Sequence, residues 1–76
     1  MTIKILGSGC AKCKQLEKNT LEAVNNLNIQ AEVIKVEDME KIMSYNIMST
    51  PALVVDEKVI STGKLLSSTE IEGLIK

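Results

Sequence analysis

The chain has 76 residues, of which 45% are apolar and 25% are charged, so its composition is that of one small globular domain over residues 1–76. Nine basic and ten acidic side chains give a formal net charge of −1, which provides no basic surface for nucleic acid or membranes. The apolar runs are too short to span a bilayer, and the N-terminus lacks the apolar stretch of a signal peptide. We therefore expect a cytoplasmic protein.

The first half of the chain predicts a strand, a helix and a second strand. Thr2–Leu6 is a short strand rich in β-branched residues, and Gly7-Ser8-Gly9 ends it. A long helix follows, because residues at spacings of three and four share one face: Cys13, Leu16, Thr20, Ala23, Val24 and Leu27. Cys13 therefore faces the core, whereas Cys10 lies at or just before the first turn. The second strand is predicted over Ala31–Val36.

After the second strand, the pattern predicts a short helix and then a hairpin. Asp38 is a suitable N-cap for this helix, and the side chains predicted to face inward are Met39, Ile42 and Met43. Ser49-Thr50-Pro51 interrupts the helical pattern. Ala52–Val55 and Val59–Ile60 then pair across Asp56-Glu57-Lys58, a turn without the Asn-Gly or Asp-Gly pair that favours tight hairpins.

The last helix is marked by its N-terminal residues. Ser67 and Glu70 have the spacing of a capping box, and Leu66 and Ile71 lie where a hydrophobic staple would place them. The order of elements is therefore strand, helix, strand, helix, strand, strand, helix. A strand–helix–strand unit requires a parallel pair joined by a crossover, so this order predicts an α/β fold with a four-stranded mixed sheet and three helices.

The candidate site is the pair Cys10 and Cys13, where the first strand leads into the first helix. Two cysteines separated by two residues at a helix N-terminus can close a small disulfide ring with little backbone movement. The positive end of the helix favours a thiolate there, and Lys12 is either an additional cation for it or a solvated surface lysine. Because Cys10 is the more exposed of the two, it is predicted to be the nucleophile, and Cys13 the resolving thiol.

Two motifs resemble the signatures of the thioredoxin/glutaredoxin superfamily: Cys10-Ala11-Lys12-Cys13 after the first strand, and Ser49-Thr50-Pro51 before the third. The whole chain is similar to the very small archaeal and bacterial thioredoxin-like redox-active disulfide proteins. This resemblance implies a minimal thioredoxin-like βαβαββα fold and a thiol–disulfide oxidoreductase that reduces protein disulfides. It also implies a cis Pro51 against the dithiol and a Thr50 backbone that binds an extended substrate. No bound cofactor is expected beyond the redox-active disulfide.

The expected partners are disulfide-containing proteins and a thioredoxin-reductase-type flavoenzyme. The flavoenzyme would dock on the exposed rim formed by Cys10, Thr50 and Gly63. Ile47 and Met48, before the proline, are either an apolar docking surface or part of the core. We expect a monomer, with neither nucleic acid nor a membrane as a partner.

Two alternatives use the same two cysteines. A glutaredoxin-like enzyme would take electrons from glutathione, although Gly63-Lys64 stands where glutaredoxins have a Gly-Gly turn that helps to bind it. A copper chaperone would hold Cu(I) between the two thiolates. The chain has no third cysteine and no histidine, and copper chaperones have strand–strand–helix–strand after their first helix, so no metal is expected.

Overall fold

The computed structural model describes residues 1–9, 11–47 and 49–75. In these residues the elements follow the predicted order: β1 (Thr2–Leu6), α1 (Ala11–Leu27), β2 (Glu32–Val36), α2 (Met39–Ser44), β3 (Ala52–Val55), β4 (Lys58–Thr62) and α3 (Ser68–Ile75). No helix in the described ranges combines the length and apolar character needed to cross a membrane.

The strands form one mixed sheet in the order β2-β1-β3-β4. β1 and β2 are parallel, with Leu6 opposite Val36, whereas β3 is antiparallel to both β1 and β4. The Gly7 N–H donates to the Val36 carbonyl at 3.0 Å, so the two parallel strands stay together one residue beyond β1. Because β1 and β2 run in the same direction, their carboxyl ends meet at one edge of the sheet. This edge carries Gly7 and Glu37.

The helices divide between the two faces of the sheet. The core under α1 and α3 is made of Ile3, Ile5, Leu16, Ala23, Leu53, Leu66, Ile71 and Ile75. The core under α2 is smaller and is made of Leu6, Ile42, Ala52 and Val54. Alternate residues of β1 and β3 enter the two cores, as the pleat of a strand requires. The predicted fold class, an α/β sheet with three helices, is confirmed.

The predicted helix starts are confirmed by their caps. The Asp38 carboxylate accepts the Glu40 N–H at 2.9 Å. At α3, the Ser67 N–H donates to the Glu70 carboxylate at 3.0 Å, and the Glu70 N–H donates to the Ser67 hydroxyl at 3.2 Å. These two bonds form the reciprocal capping box. Its staple residues, Leu66 and Ile71, are both buried.

The inward orientation predicted for α2 is wrong for two of its three apolar residues. Ile42 is buried, but Met39 and Met43 are 55% and 65% exposed. α2 has only six residues, so its length is about 9 Å, and Tyr45 and Ile47 after it also pack on the core that Ile42 enters. The two methionines are left on the surface.

The hairpin turn is shorter than predicted. It consists of Asp56 and Glu57, and Lys58 already belongs to β4. Both turn residues have positive φ, 48° and 69°, as a two-residue turn of the mirror-image type requires. Long-range contacts stabilise this turn without glycine: the Thr2 N–H donates to the Asp56 carboxylate at 2.9 Å, and Lys4 binds Glu57 at 2.6 Å.

Candidate active site

Cys13 lies in the first turn of α1 and is 5% exposed, as its spacing predicted. It packs against the end of β1, where a Cβ at Gly7 would overlap the Cys13 Sγ. A larger residue at position 7 would therefore displace the thiol. The predicted nucleophile, Cys10, lies outside the described residues. Lys12 is exposed on α1, beside the position of Cys10 in the chain.

The electrostatic environment of the helix start favours a negative charge. The first turn of α1 contains no acidic residue, so none of its own carboxylates offsets the positive end of the helix. The first turn also contains Lys12 and Lys14, both exposed. This arrangement suits a thiolate at the N-terminus of α1.

A narrow crevice of about 10 Å³ opens beside Cys13. It is lined by Ile5, Gly7, Gly9, Cys13, Lys14, Lys35 and Glu37. Gly9 has φ 86°, and a Cβ there would lie 3.2 Å from the Glu37 Oε2. The carboxylate of Glu37 therefore reaches across the end of the sheet to the loop that precedes α1.

Thr50, Pro51 and Gly63 are brought together by the β3–β4 pair. The Thr50–Pro51 peptide bond is cis, Pro51 is buried and Thr50 is exposed. The Gly63 N–H donates to the Pro51 carbonyl at 2.8 Å. Gly63 has φ 67°, and a Cβ there would lie 2.9 Å from the Ser49 Cβ. Glycine is therefore the residue that lets the chain after β4 lie against the Ser49–Pro51 loop.

The proline loop and the Cys13 crevice share one end of the sheet. Leu6 pairs with Ala52 in antiparallel register, so Pro51, which precedes Ala52, lies at the same end as Gly7. Gly7 in turn touches Cys13. The structure thus brings the predicted residues of the proline loop to the end of the sheet where α1 begins.

An open apolar groove of about 220 Å³ adjoins Thr50. It is lined by Met39, Ile42, Met43, Ile47, Ser49 and Thr50. Ile47 is half-buried and packs on the core under α2 while also lining this groove. The two uses considered for Ile47, core and surface, are therefore combined in one residue; Met48 lies outside the described residues.

Comparison with known proteins agrees with this arrangement. A family model described as a thioredoxin domain matches residues 1–76. A thioredoxin of Methanothermobacter thermautotrophicus is 40% identical over 75 residues, which cover 99% of this chain and 97% of that protein. A thioredoxin of Methanocaldococcus jannaschii is 37% identical over 76 residues, which cover 100% of this chain and 87% of that protein.

The chain belongs to the thioredoxin family.

Membership of the thioredoxin family makes the chain a thiol–disulfide oxidoreductase, as the resemblance implied. The two matched relatives are thioredoxins, and neither the glutaredoxin nor the copper-chaperone alternative gains support from them. The observed order of elements also differs from that of a copper chaperone, because α2 separates β2 from the β3–β4 hairpin. Within residues 1–9, 11–47 and 49–75, no three His, Cys, Asp or Glu side chains cluster as metal ligands would.

Two residues at the thioredoxin site received no role from the sequence. The sequence pattern assigned Gly7 to the end of a strand and assigned nothing to Glu37. A signal for Glu37 exists, since polar residues at the carboxyl ends of neighbouring parallel strands meet at one edge of the sheet. The contact of Gly7 with Cys13 has no comparable signal, because it depends on the angle at which α1 leaves the sheet.

Proposed function

We propose that this thioredoxin-family protein reduces disulfide bonds in other proteins, with Cys10 as the attacking thiol and Cys13 as the resolving thiol. The burial of Cys13 carries this assignment: it is 5% exposed and lies against Gly7. A thiol packed in this way cannot meet a bulky protein disulfide first. Cys10 precedes the first residue of α1, a position suited to a nucleophile.

The proposed reaction has two exchange steps. In the first, the Cys10 thiolate attacks one sulfur of the substrate disulfide, forms a mixed disulfide and releases the other sulfur as a thiolate. In the second, Cys13 attacks the Cys10 sulfur, the Cys10–Cys13 disulfide forms, and the remaining substrate sulfur leaves. Two electrons pass from the dithiol to the substrate, which gains two protons from water or the protein. No bound cofactor takes part.

The helix start supports the first step. The absence of acidic side chains in the first turn of α1 leaves the positive helix end available to a Cys10 thiolate. We assign Lys12 a minor part as an additional cation. Because Lys12 is exposed, its effect should be screened by salt.

We assign substrate binding to Thr50, Pro51 and Gly63. The hydrogen bond from Gly63 to the Pro51 carbonyl fixes the loop, and the exposed Thr50 can offer its backbone to an extended segment. The groove beside Thr50 has room for an apolar side chain of that segment. Met39 and Met43 suit this use, because unbranched methionine side chains adapt to different shapes.

The proposal extends to the setting of the reaction. We propose a single domain over residues 1–76 that acts as a monomer in the cytoplasm, with no nucleic acid or membrane as a partner. Its electron donor would be a thioredoxin-reductase-type flavoenzyme that docks on the rim of Cys10, Thr50 and Gly63. We expect the oxidised protein to be reduced by NADPH with such a reductase. We expect no turnover with glutathione and glutathione reductase.

The roles of the two thiols are tested with the matched variants Cys10→Ser and Cys13→Ser. We expect iodoacetamide to alkylate Cys13→Ser faster than Cys10→Ser at pH 7. With a disulfide-linked peptide, Cys13→Ser should accumulate a stable mixed disulfide, seen as added mass, because the second step is blocked. Circular dichroism establishes that both variants are folded. Equal alkylation rates, or an adduct confined to Cys10→Ser, would reverse the assignment.

A further inference from the structure

Two methionines with exposed thioethers lie beside Thr50. Met39 and Met43 are four residues apart in α2, so they share one face of this helix. They are 55% and 65% exposed. Together with Ile42 and Ile47 they form the apolar lining of the groove that Thr50 also lines. Half of the apolar side chains in the proposed substrate groove therefore carry a sulfur atom that solvent reaches.

Oxidation of these sulfur atoms changes the polarity of the groove and leaves the fold in place. A thioether that takes up one oxygen atom becomes a sulfoxide, which is polar and chiral where the original side chain was apolar. Ile42, 3% exposed, packs on the core under α2, whereas the two methionines already face solvent. Changes at such exposed positions have little effect on stability. The groove therefore loses its apolar character while the protein stays folded.

We propose that Met39 and Met43 are a reversible oxidation site, at which hydrogen peroxide makes the groove polar and weakens the binding of protein disulfides. This inference rests on the proposed use of the groove for substrate binding. The electron pair of the thioether sulfur attacks one peroxide oxygen, and the O–O bond breaks. The sulfur is oxidised by two electrons and keeps that oxygen. The other oxygen leaves as hydroxide, takes the proton of the transferred hydroxyl group and becomes water.

The two sulfur pairs of the protein would return from oxidation by different routes. The Cys10–Cys13 disulfide opens by exchange with an outside thiol. A methionine sulfoxide returns to the thioether only through a methionine sulfoxide reductase, one enzyme for each epimer. After exposure to peroxide and then to thiols, the protein would therefore react with small disulfides again, while its reaction with protein disulfides stays slow until the sulfoxides are reduced.

The experiment oxidises the methionines and spares the dithiol. Peroxide is added while the Cys10–Cys13 disulfide is closed, because a free thiolate also reacts with peroxide. Tryptic peptides then locate the added oxygen: residues 36–41 contain Met39, and residues 42–58 contain Met43 and Met48, which fragment spectra distinguish. Dithiothreitol afterwards opens the disulfide and supplies electrons for the reduction of insulin, the protein disulfide substrate.

The matched comparison is the double variant Met39→Leu/Met43→Leu. Leucine is apolar and similar in volume to methionine, and it has no sulfur to oxidise. Met1 and Met48 remain in the double variant, so any effect of their oxidation is present in both proteins. Each protein is compared with its own untreated sample, so a change in activity caused by the substitutions themselves does not enter the comparison.

We expect peroxide to lower kcat/KM of the wild type for insulin about tenfold, because sulfoxides replace apolar contact area in the groove. The rate with 5,5′-dithiobis(2-nitrobenzoate), a small disulfide without an extended segment, should change by less than about twofold. The treated double variant should stay within about twofold of its untreated sample with either substrate. Methionine sulfoxide reductases for both epimers should restore the wild type.

Five results would overturn the oxidation site. Oxidation of Met1, which is 47% exposed, without oxidation of Met39 and Met43 would show that peroxide does not reach the pair. An unchanged kcat/KM for insulin with both sulfoxides present would show that the groove tolerates them. The same loss in the double variant would assign the effect to another residue, and the same loss with the small disulfide would assign it to the dithiol. Loss that the reductases do not restore would exclude a reversible site.

Failure of the underlying proposal has a separate signature. Untreated wild type that reduces no insulin disulfides would remove the proposed function itself, before any peroxide is added.

Discussion

The two faces of the sheet are built differently. In the described chain, the face under α1 and α3 buries a continuous aliphatic core, whereas the face under α2 buries four residues and is then completed by polar groups. There the Lys4 Nζ donates to the Tyr45 hydroxyl at 3.0 Å and to the Glu57 carboxylate at 2.6 Å. These bonds connect β1, the residue after α2 and the hairpin turn. Polar contacts occur on both faces, such as the Lys35–Glu17 ion pair at 3.9 Å beside α1, so the faces differ in the size of the core and not in the kind of interaction.

The candidate active site draws one part from each face. Cys13 belongs to the buried stripe of α1, so the larger core fixes its position. The groove beside Thr50 belongs to α2, a helix of six residues whose methionines lie on the surface. A small core and few contacts make local motion easier. The proposed chemistry therefore depends on the face with the larger core, and the proposed substrate groove lies on the face with the smaller core.

The largest expected effect is a loss of stability when one buried side chain is truncated in each core, which compares the two cores directly. Ile71 is 0% exposed under α3, and Ile42 is 3% exposed under α2. Ile71→Ala should lower the free energy of unfolding by about 3–5 kcal/mol, and Ile42→Ala by about 2–3 kcal/mol, because the short α2 can settle into the space. Urea unfolding measures both. Equal losses of unfolding free energy would show that the two cores contribute equally to stability.

A smaller effect is expected when charge enters the groove. Met43→Glu should reduce kcat/KM for a protein disulfide about tenfold, equivalent to about 1.4 kcal/mol, since an apolar substrate side chain would meet a carboxylate. Stability should change by less than about 0.5 kcal/mol, because Met43 is 65% exposed. Leu21→Glu is the matched control on α1, where Leu21 is 51% exposed and lies outside the groove. The same loss of kcat/KM in both variants would show that the groove takes no part in substrate binding.

The smallest effect concerns the ion pair under α2. The hydrogen bond from Lys4, and to a smaller extent the positive charge of Lys4, hold the pKa of Glu57 below its usual value of 4.5. The hydrogen bonds of Lys4 with Glu57 and Tyr45 in turn raise the pKa of Lys4. A carboxylate with a lowered pKa adds stability above its unfolded pKa, and this contribution is lost as the pH falls through the folded pKa. Glu57→Gln should therefore be slightly less stable than the wild type at pH 7, with the difference narrowing below pH 4.5. Urea unfolding at pH 7, 4 and 3 measures this, with Glu32→Gln as control; a difference independent of pH would contradict the assignment.

Much of the fold followed from interactions between residues close in the chain. The stripe of α1, the capping box of Ser67 and Glu70, and the N-cap Asp38 each depend on spacings of two to four residues, which can be read directly. The two motifs, Cys10–Cys13 and Ser49–Pro51, were likewise sufficient to predict the family. Chain order alone then required a parallel β1–β2 pair with α1 as the crossover.

The local pattern could not decide which apolar side chains of a predicted helix face are buried and which are exposed. The spacing of Met39, Ile42 and Met43 is that of a helix face, but only the length of α2 and its position over the sheet determine that Ile42 alone is buried. The left-handed Asp56–Glu57 turn likewise depends on partners in β1, more than 50 residues away.

The sequence by itself determined the elements and their order and predicted the reactive pair, because these depend on spacings of a few residues. Only the tertiary structure brought Glu37 to Gly9 and the Cys13 crevice, and Gly63 to the loop at Pro51. These contacts join residues that precede or follow different strands, so they exist only once the register of the sheet is set. The local pattern contains no information about that register beyond the alternation of buried and exposed residues.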